Sequence, residues 1–304
     1  MNKLQFGVFL SPRAADLTQT RDNVQAAESA GFDFVSMQDH PYAPDLLDTF
    51  AFLGTLIGQT SRIRFLTDVA NLPLRPPQML AKASASLDLL SGGRFELGLG
   101  AGRSWPQIAG LGGPARTPAQ ALGAAEEAID VLRALWQPAG AVELPGRYYP
   151  VTADAGPAPR HRLGIWLGAA GPKMLDLLGR KADGWIAPLA TGYETKPAAQ
   201  ARIDAAARTA GRDPGEIRRV IQLVGAVTDV PYTANRPRSG PGAQPIRTTP
   251  DIWARIIAGL AAGQRFDTIN LILMQETAGQ IQRFAQEVMP LARAETDSAK
   301  ANSR

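Results

Sequence analysis

The feature that most restricts this chain is an eightfold alternation between short β-rich runs and longer segments of helical spacing. The runs fall at 4–10, 32–38, 61–67, 95–99, 163–169, 184–188, 218–227 and 268–274. Helical segments follow them at 18–30, 45–58, 76–90, 117–136, 172–181, 196–209, 250–262 and 278–293. Gly31 and Gly92-Gly93 stop the first and third helices, while Pro77, Pro118 and Pro172 sit at helix starts, where a missing N–H costs nothing. Strands joined by helices run parallel, and eight such units in 304 residues is the count of an α/β fold of the (β/α)8 TIM barrel type. A doubly wound sheet would carry its glycine fingerprint after the first strand, where this chain reads Leu10-Ser11-Pro12. One barrel domain over 1–295 is therefore expected. Its insertions fall at about 102–116, 138–162 and 231–248, and 296–304 reads as an unstructured tail. The stretch 140–151 reads as a small hairpin. Segments 102–116 and 231–248 leave the C-terminal ends of strands, the rim where barrels carry their sites; 231–248 reads as either a lid or a plain loop.

Composition removes several classes of function. Hydrophobic residues at 45% and charged residues at 20% build a large core without a staple. The formal charge of +4 is small, and the arginines are scattered among alanines, so no nucleic-acid footprint emerges. Without cysteine there is no disulfide and no thiolate metal ligand. No apolar stretch reaches the ~20 residues of a membrane span, and the N-terminus enters a strand without a signal-peptide pattern. A soluble, cytoplasmic protein that handles a small molecule is expected.

What ends each strand points to a site. The second run stops in Asp39-His40, the third in Thr67-Asp68, the fourth in Gly98, Gly100 and Gly102, and the fifth in Gly168 through Lys173. In a barrel these ends meet at one rim, so polar groups and bare backbone surround the mouth of an apolar cylinder. Asp39-His40 has two readings. Either the strand simply ends there, or an imidazole beside a carboxylate exchanges protons at the mouth. Gly168-Ala169-Ala170-Gly171-Pro172-Lys173 likewise reads as an ordinary turn or as a phosphate site, with close backbone approach and free N–H groups at a helix start. One rim histidine leaves too few ligands for a metal site, so none is expected. The other histidine, His161, precedes the fifth strand on the opposite rim and reads as structural. A sugar hydrolase would have to use Asp39 and Asp68 as its carboxylate pair, which leaves the glycine ledges without a purpose.

The segments "AESAGFDFVSMQDH", "TDVANLPLRPPQMLAKASASLDLLSGGRFELGLGAG", "EEAIDVLRALW" and "IWLGAAGPKMLDLLGRKADGW" resemble the bacterial luciferase-like superfamily of flavin and deazaflavin (F420) oxidoreductases. The match covers about residues 4 to 190. It implies a (β/α)8 barrel, usually a homodimer, that binds F420 or FMN at the C-terminal rim. The resemblance places a non-prolyl cis peptide behind the ring at Asp68-Val69, after Thr67. It places Asp39 and His40 at the reactive ring edge, His40 trading a proton with substrate. Gly100, Ala101, Gly102 and Gly168 through Lys173 match the segments that hold the ribityl phosphate. Tyr42 and Trp105 are expected to wall the substrate pocket. Relatives acting on sugar phosphates or alcohols have Glu after the fourth-strand glycines, where this chain has Arg103-Ser104-Trp105. Arg236, Arg238 and Arg247 are expected to meet the oligoglutamate tail of F420, or to form a solvated loop. An F420-dependent oxidoreductase is the leading expectation, with an FMN-dependent monooxygenase and a non-catalytic flavin-binding relative as alternatives.

Overall fold

The computed structural model describes residues 3–230 and 245–301. Eight parallel strands form a closed ring: β1 (Gln5–Phe9), β2 (Phe34–Met37), β3 (Arg64–Thr67), β4 (Phe95–Gly100), β5 (Ile165–Gly168), β6 (Gly184–Ala187), β7 (Arg218–Val227) and β8 (Thr268–Leu273). Each pairs with the next, and β8 pairs with both β7 and β1 to close the cylinder. The surrounding helices are α1 (Leu17–Ser29), α2 (Thr49–Gly58), α3 (Pro77–Ser91), α4 (Pro118–Leu135), α5 (Pro172–Lys181), α6 (Lys196–Thr209) and α7 (Pro250–Ala258). After β8 the chain is helical from Ala278 to Ala301, with a π turn at Phe284–Val288. Local chemistry sets the ends. Thr117 and Gln120 make a capping box that starts α4, and Gly92 in the left-handed region stops α3.

The parity of each strand sorts its side chains. Outward residues such as Phe6, Val8, Val35 and Phe65 pack under the helices in one large core. Phe34, Leu66, Trp166, Ile186 and Val220, from five different strands, make a separate cluster that fills the lumen. Glycines make room for its rings. A Cβ at Gly7 would stand 2.2 Å from the Phe34 ring, and one at Gly184 would stand 2.7 Å from the Trp166 indole.

The opposite end of the barrel is tied by charge. His161 sits between Asp88 (Nδ1–Oδ1 2.9 Å) and Glu96 (Nε2–Oε1 3.3 Å). Hydrogen bonds and charge from these two carboxylates raise its pKa to about 10. Asp88 also accepts from the backbone N–H groups of Arg160 and His161, and Glu96 from that of Gly164.

The insertions have structure of their own. Segment 102–116 contains the short helix Trp105–Gly110, and 138–162 contains the hairpin Ala141–Leu144 with Val151–Asp154. Residues 231–244, most of the expected lid or loop, lie outside the described residues, and Arg236 and Arg238 with them. Arg247 is exposed in a short strand, Ile246–Thr248, that pairs with the end of β7. The tail expected to be unstructured is instead helical as far as Ala301. Thr296 is buried there and donates to the Ala292 carbonyl, so a side chain that read as polar tail serves as a packed helix position. No helix among the described residues is long and apolar enough to cross a membrane.

Candidate active site

The β3 strand does not run straight into its loop. After Thr67 the chain bulges at Asp68-Val69, whose peptide is cis, and then pairs again with β4 through Ala70↔Leu99 and Asn71↔Gly100. A bulge leaves ladder groups unpaired. Here the Thr67 hydroxyl takes them up, accepting from Gly98 N at 3.0 Å and donating to Gly98 O at 2.7 Å. Gly98 has to be glycine, because a Cβ would stand 1.8 Å from the Thr67 carbonyl oxygen. The bulge turns the Val69 methyls toward Gly100 and Gly168. A Cβ at Gly100 would reach 2.6 Å from Val69 Cγ2, and one at Gly168 would reach 3.5 Å.

Around this ledge lies a cavity of about 580 Å³ at the C-terminal rim, within the range of small-molecule and cofactor sites. Its floor and walls include Asp68, Val69, Gly100, Gly168, Ile186 and Gln222, and Asp39, His40, Tyr42, Ala101, Gly102 and Arg103 also line it. The sequence-distant ends of β2, β3, β4 and β5 therefore meet as expected. Not every expected residue joins them. Thr67 is buried beneath, while Gly171 and Lys173 are exposed. Ala169, Ala170 and Pro172 face a neighbouring cavity of about 300 Å³ beside α6. Trp105 packs behind Gly102, where an added Cβ would meet its ring at 2.6 Å, and does not line the central cavity.

Asp39 is buried and paired. Arg75 clamps it with two bonds, Nε to Oδ2 and Nη2 to Oδ1, both 2.7 Å, and Asn71 N donates to Oδ2 at 2.9 Å. The same guanidinium reaches Asp48, the N-cap of α2, and lies 4.6 Å over the Phe50 ring. Burial alone would depress the Arg75 pKa, but the carboxylates of Asp39 and Asp48 hold it above the usual value. Three of the roughly four lone pairs of Asp39 are thus spent on Arg75 and Asn71, so most of its hydrogen bonding anchors the loop. Arg75 went unnoticed in the sequence, although a buried carboxylate at a strand end requires a cation.

His40 is exposed at the mouth, 2.9 Å from the Tyr42 hydroxyl through Nδ1 and stacked on its ring at 5.4 Å. Partial desolvation lowers its pKa and the charge of Asp39 opposes that shift. In the tautomer whose Nδ1 accepts from the Tyr42 hydroxyl, the neutral ring carries its proton on Nε2. The imidazole is therefore held in place at the mouth as a group able to accept and give a proton.

Asp68 is the second ionisable group in the cavity. Gln222 Nε2 donates to its Oδ2 at 2.6 Å and Asn270 Nδ2 at 2.9 Å, and Asn270 also donates to Ser36. No cation pairs with it among the described residues, and burial raises its pKa to about 6. Gln222 and Asn270 were not singled out in the sequence. Each is a lone carboxamide on the inward parity of an otherwise apolar strand, a readable signal once the barrel is assumed. Lys196, buried, donates to the carbonyls of Pro188 and Thr191 and to the Thr191 hydroxyl, which fixes the wall formed by 188–190. No group of three or more His, Asp or Glu side chains among the described residues is placed to hold a metal ion.

Comparison with known proteins fits this geometry. A family model described as luciferase-like monooxygenase matches residues 4–291. The chain is 30% identical over 236 residues to the F420-dependent glucose-6-phosphate dehydrogenase of Nocardia farcinica, covering 73% of this chain and 69% of that protein. It spans about half the length of several other curated relatives that it matches. Among solved structures, an F420-dependent secondary alcohol dehydrogenase in complex with an F420-acetone adduct superposes with TM-score 0.81 at 20% identity, over 96% of this chain and 99% of the other. Riboflavin lyase with modified FMN and riboflavin superposes with TM-score 0.81 at 16% identity, over 96% and 92%. At these identities the superpositions speak for the fold.

Proposed function

The chain belongs to the luciferase-like monooxygenase family, and from that premise we propose that it is an F420-dependent oxidoreductase moving a hydride between the deazaflavin and a small organic substrate. The observation that carries this reading is the ledge of Val69, Gly100 and Gly168 in the rim cavity, with His40 at its mouth. Glycine at 100 lets Val69 seat close against β4, and the cavity beside this ledge has the room for a flat ring. Asn71 Oδ1, buried in the wall without a hydrogen-bond partner, is an acceptor for a ring N–H. Gly100, Ala101, Gly102 and Gly168 would approach the cofactor by backbone, with Ala169 through Lys173 serving its phosphate. The bound deazaflavin supplies the hydride-transferring carbon. His40 exchanges the substrate proton through Nε2, Tyr42 holds the imidazole, and the Asp39–Arg75 pair fixes the loop that carries both. Arg103, in place of an acidic residue, separates this site from those of sugar-phosphate and alcohol relatives.

Absorbance titration with F420 and with FMN tests the cofactor. Tighter binding of F420 is expected. A protein that purifies with FMN and turns over only with oxygen would instead be a monooxygenase, the reading favoured by the family description. His40→Asn is expected to lower turnover by about 10²–10⁴-fold, the usual worth of a positioned acid–base group, with cofactor affinity nearly unchanged. Unaltered turnover would remove His40 from the mechanism. The same reading carries a cytoplasmic homodimer. Met79 and Leu90, exposed on one face of α3, supply apolar surface for it, and a monomer mass by light scattering would refute the dimer.

A further inference from the structure

Three observations on Asp68 are left unused by that mechanism. Its carboxyl lies in the floor of the cavity, both carboxamide donors crowd onto Oδ2, and Oδ1 has no hydrogen bond among the described residues. Below it the lumen is apolar, closed by Leu66, Trp166, Ile186 and Val220. We propose that Asp68 is a further proton-exchanging residue of this site: it takes up a proton on Oδ1 when a ring bearing negative charge enters the cavity, and the resulting hydroxyl donates to that ring. The inference rests on the reading of the cavity as a ring-binding site.

The argument is electrostatic. Two negative charges in contact above an apolar lumen repel strongly, since little water screens them. The protein can relieve this with a cation or with a proton. The charged and titratable side chains around the cavity, among the described residues, are Asp39, His40, Tyr42 and Arg103. Asp39 is neutralised by Arg75, while His40, Tyr42 and Arg103 belong to the loops of the mouth. Glu276, beyond β8, is turned to Ser11 N. The strands behind Asp68 present Gln222 and Asn270, which donate but carry no charge. That leaves the proton. One O–H bond forms at Oδ1, the proton comes from solvent through the mouth, and the protein moves no electron. Burial has already lifted this carboxyl to about 6, so the additional shift required is small.

Two measurements test this. In the ligand-free protein, ¹³C NMR of labelled aspartate carboxyls should show one group with a midpoint near 6 that is missing in Asp68→Asn. An Asp68 carboxyl that titrates with the ordinary exposed ones overturns the proposal, whether or not any cofactor binds. Calorimetry at pH 7.5 in buffers of different ionisation heat then reads proton uptake when dithionite-reduced FMN binds. The wild type should take up about one proton more than Asp68→Asn, and equal uptake overturns the proposal. Failure of F420 and FMN to bind at all would instead refute the ring-binding reading, which the NMR titration does not depend on.

Discussion

Arg75 holds together the loop that carries the candidate proton-exchanging histidine, and replacing it by Met should be among the most damaging single changes near the rim. The side chain of Asp39 is 1% exposed and that of Arg75 19%, and they share two bonds of 2.7 Å. Removing one partner of a buried ion pair strands the other charge, at a cost of about 3–5 kcal/mol. The contact with Asp48 adds little, because that carboxylate is about half exposed. At roughly 2–4 °C per kcal/mol, Arg75→Met should lower the melting temperature by on the order of 10 °C, with an unchanged urea m-value. The double variant Arg75→Met/Asp39→Asn removes the stranded charge and should recover at least about 2 kcal/mol of the loss. A single variant that loses less than ~1 kcal/mol, or a double variant no more stable than the single, would refute the claim that Asp39 is held by this cation.

Two other sites give independent checks. His161→Gln should flatten the stability–pH profile: with a folded pKa of about 10 against an ordinary 6.5, the wild-type contribution is full below 6.5 and disappears as pH rises to about 10. Urea midpoints at pH 6, 8 and 10 that fall equally in both proteins would contradict this. Gly98→Ala forces a methyl against the Thr67 carbonyl oxygen and should cost about 3 kcal/mol or more; a variant that melts within 2 °C of wild type would mean that β3 and β4 separate easily.

Most of the barrel was legible because its signals are local. Apolar runs of strand length recur eight times, prolines open several of the helices between them and glycines close two, and the rim residues fall where those runs stop. The cis Asp68-Val69 peptide was anticipated by resemblance, since no residue rule points to it. What escaped depends on partners far apart in the chain. Arg75 reads as one more residue before a helix until Asp39 is seen beneath it. Gln222 and Asn270 look like flaws in apolar strands until closure brings them to one carboxyl. Gly171 and Lys173 were grouped with Gly168 as one strand end and helix start; the turn into α5 sets them outside the central cavity within three residues, where the proposed reading gives them the phosphate. The last helix was misjudged because its polar letters hide one packed face.

Among the described residues, the plug of Phe34, Leu66, Trp166, Ile186 and Val220 closes the barrel below the site and makes it a cup that opens at the rim. Whatever lies deepest must arrive first and depart last. On the proposed reading the ring is seated before the substrate covers it, so the kinetics should follow a compulsory order, and a substrate held at the mouth should slow the escape of the cofactor beneath it.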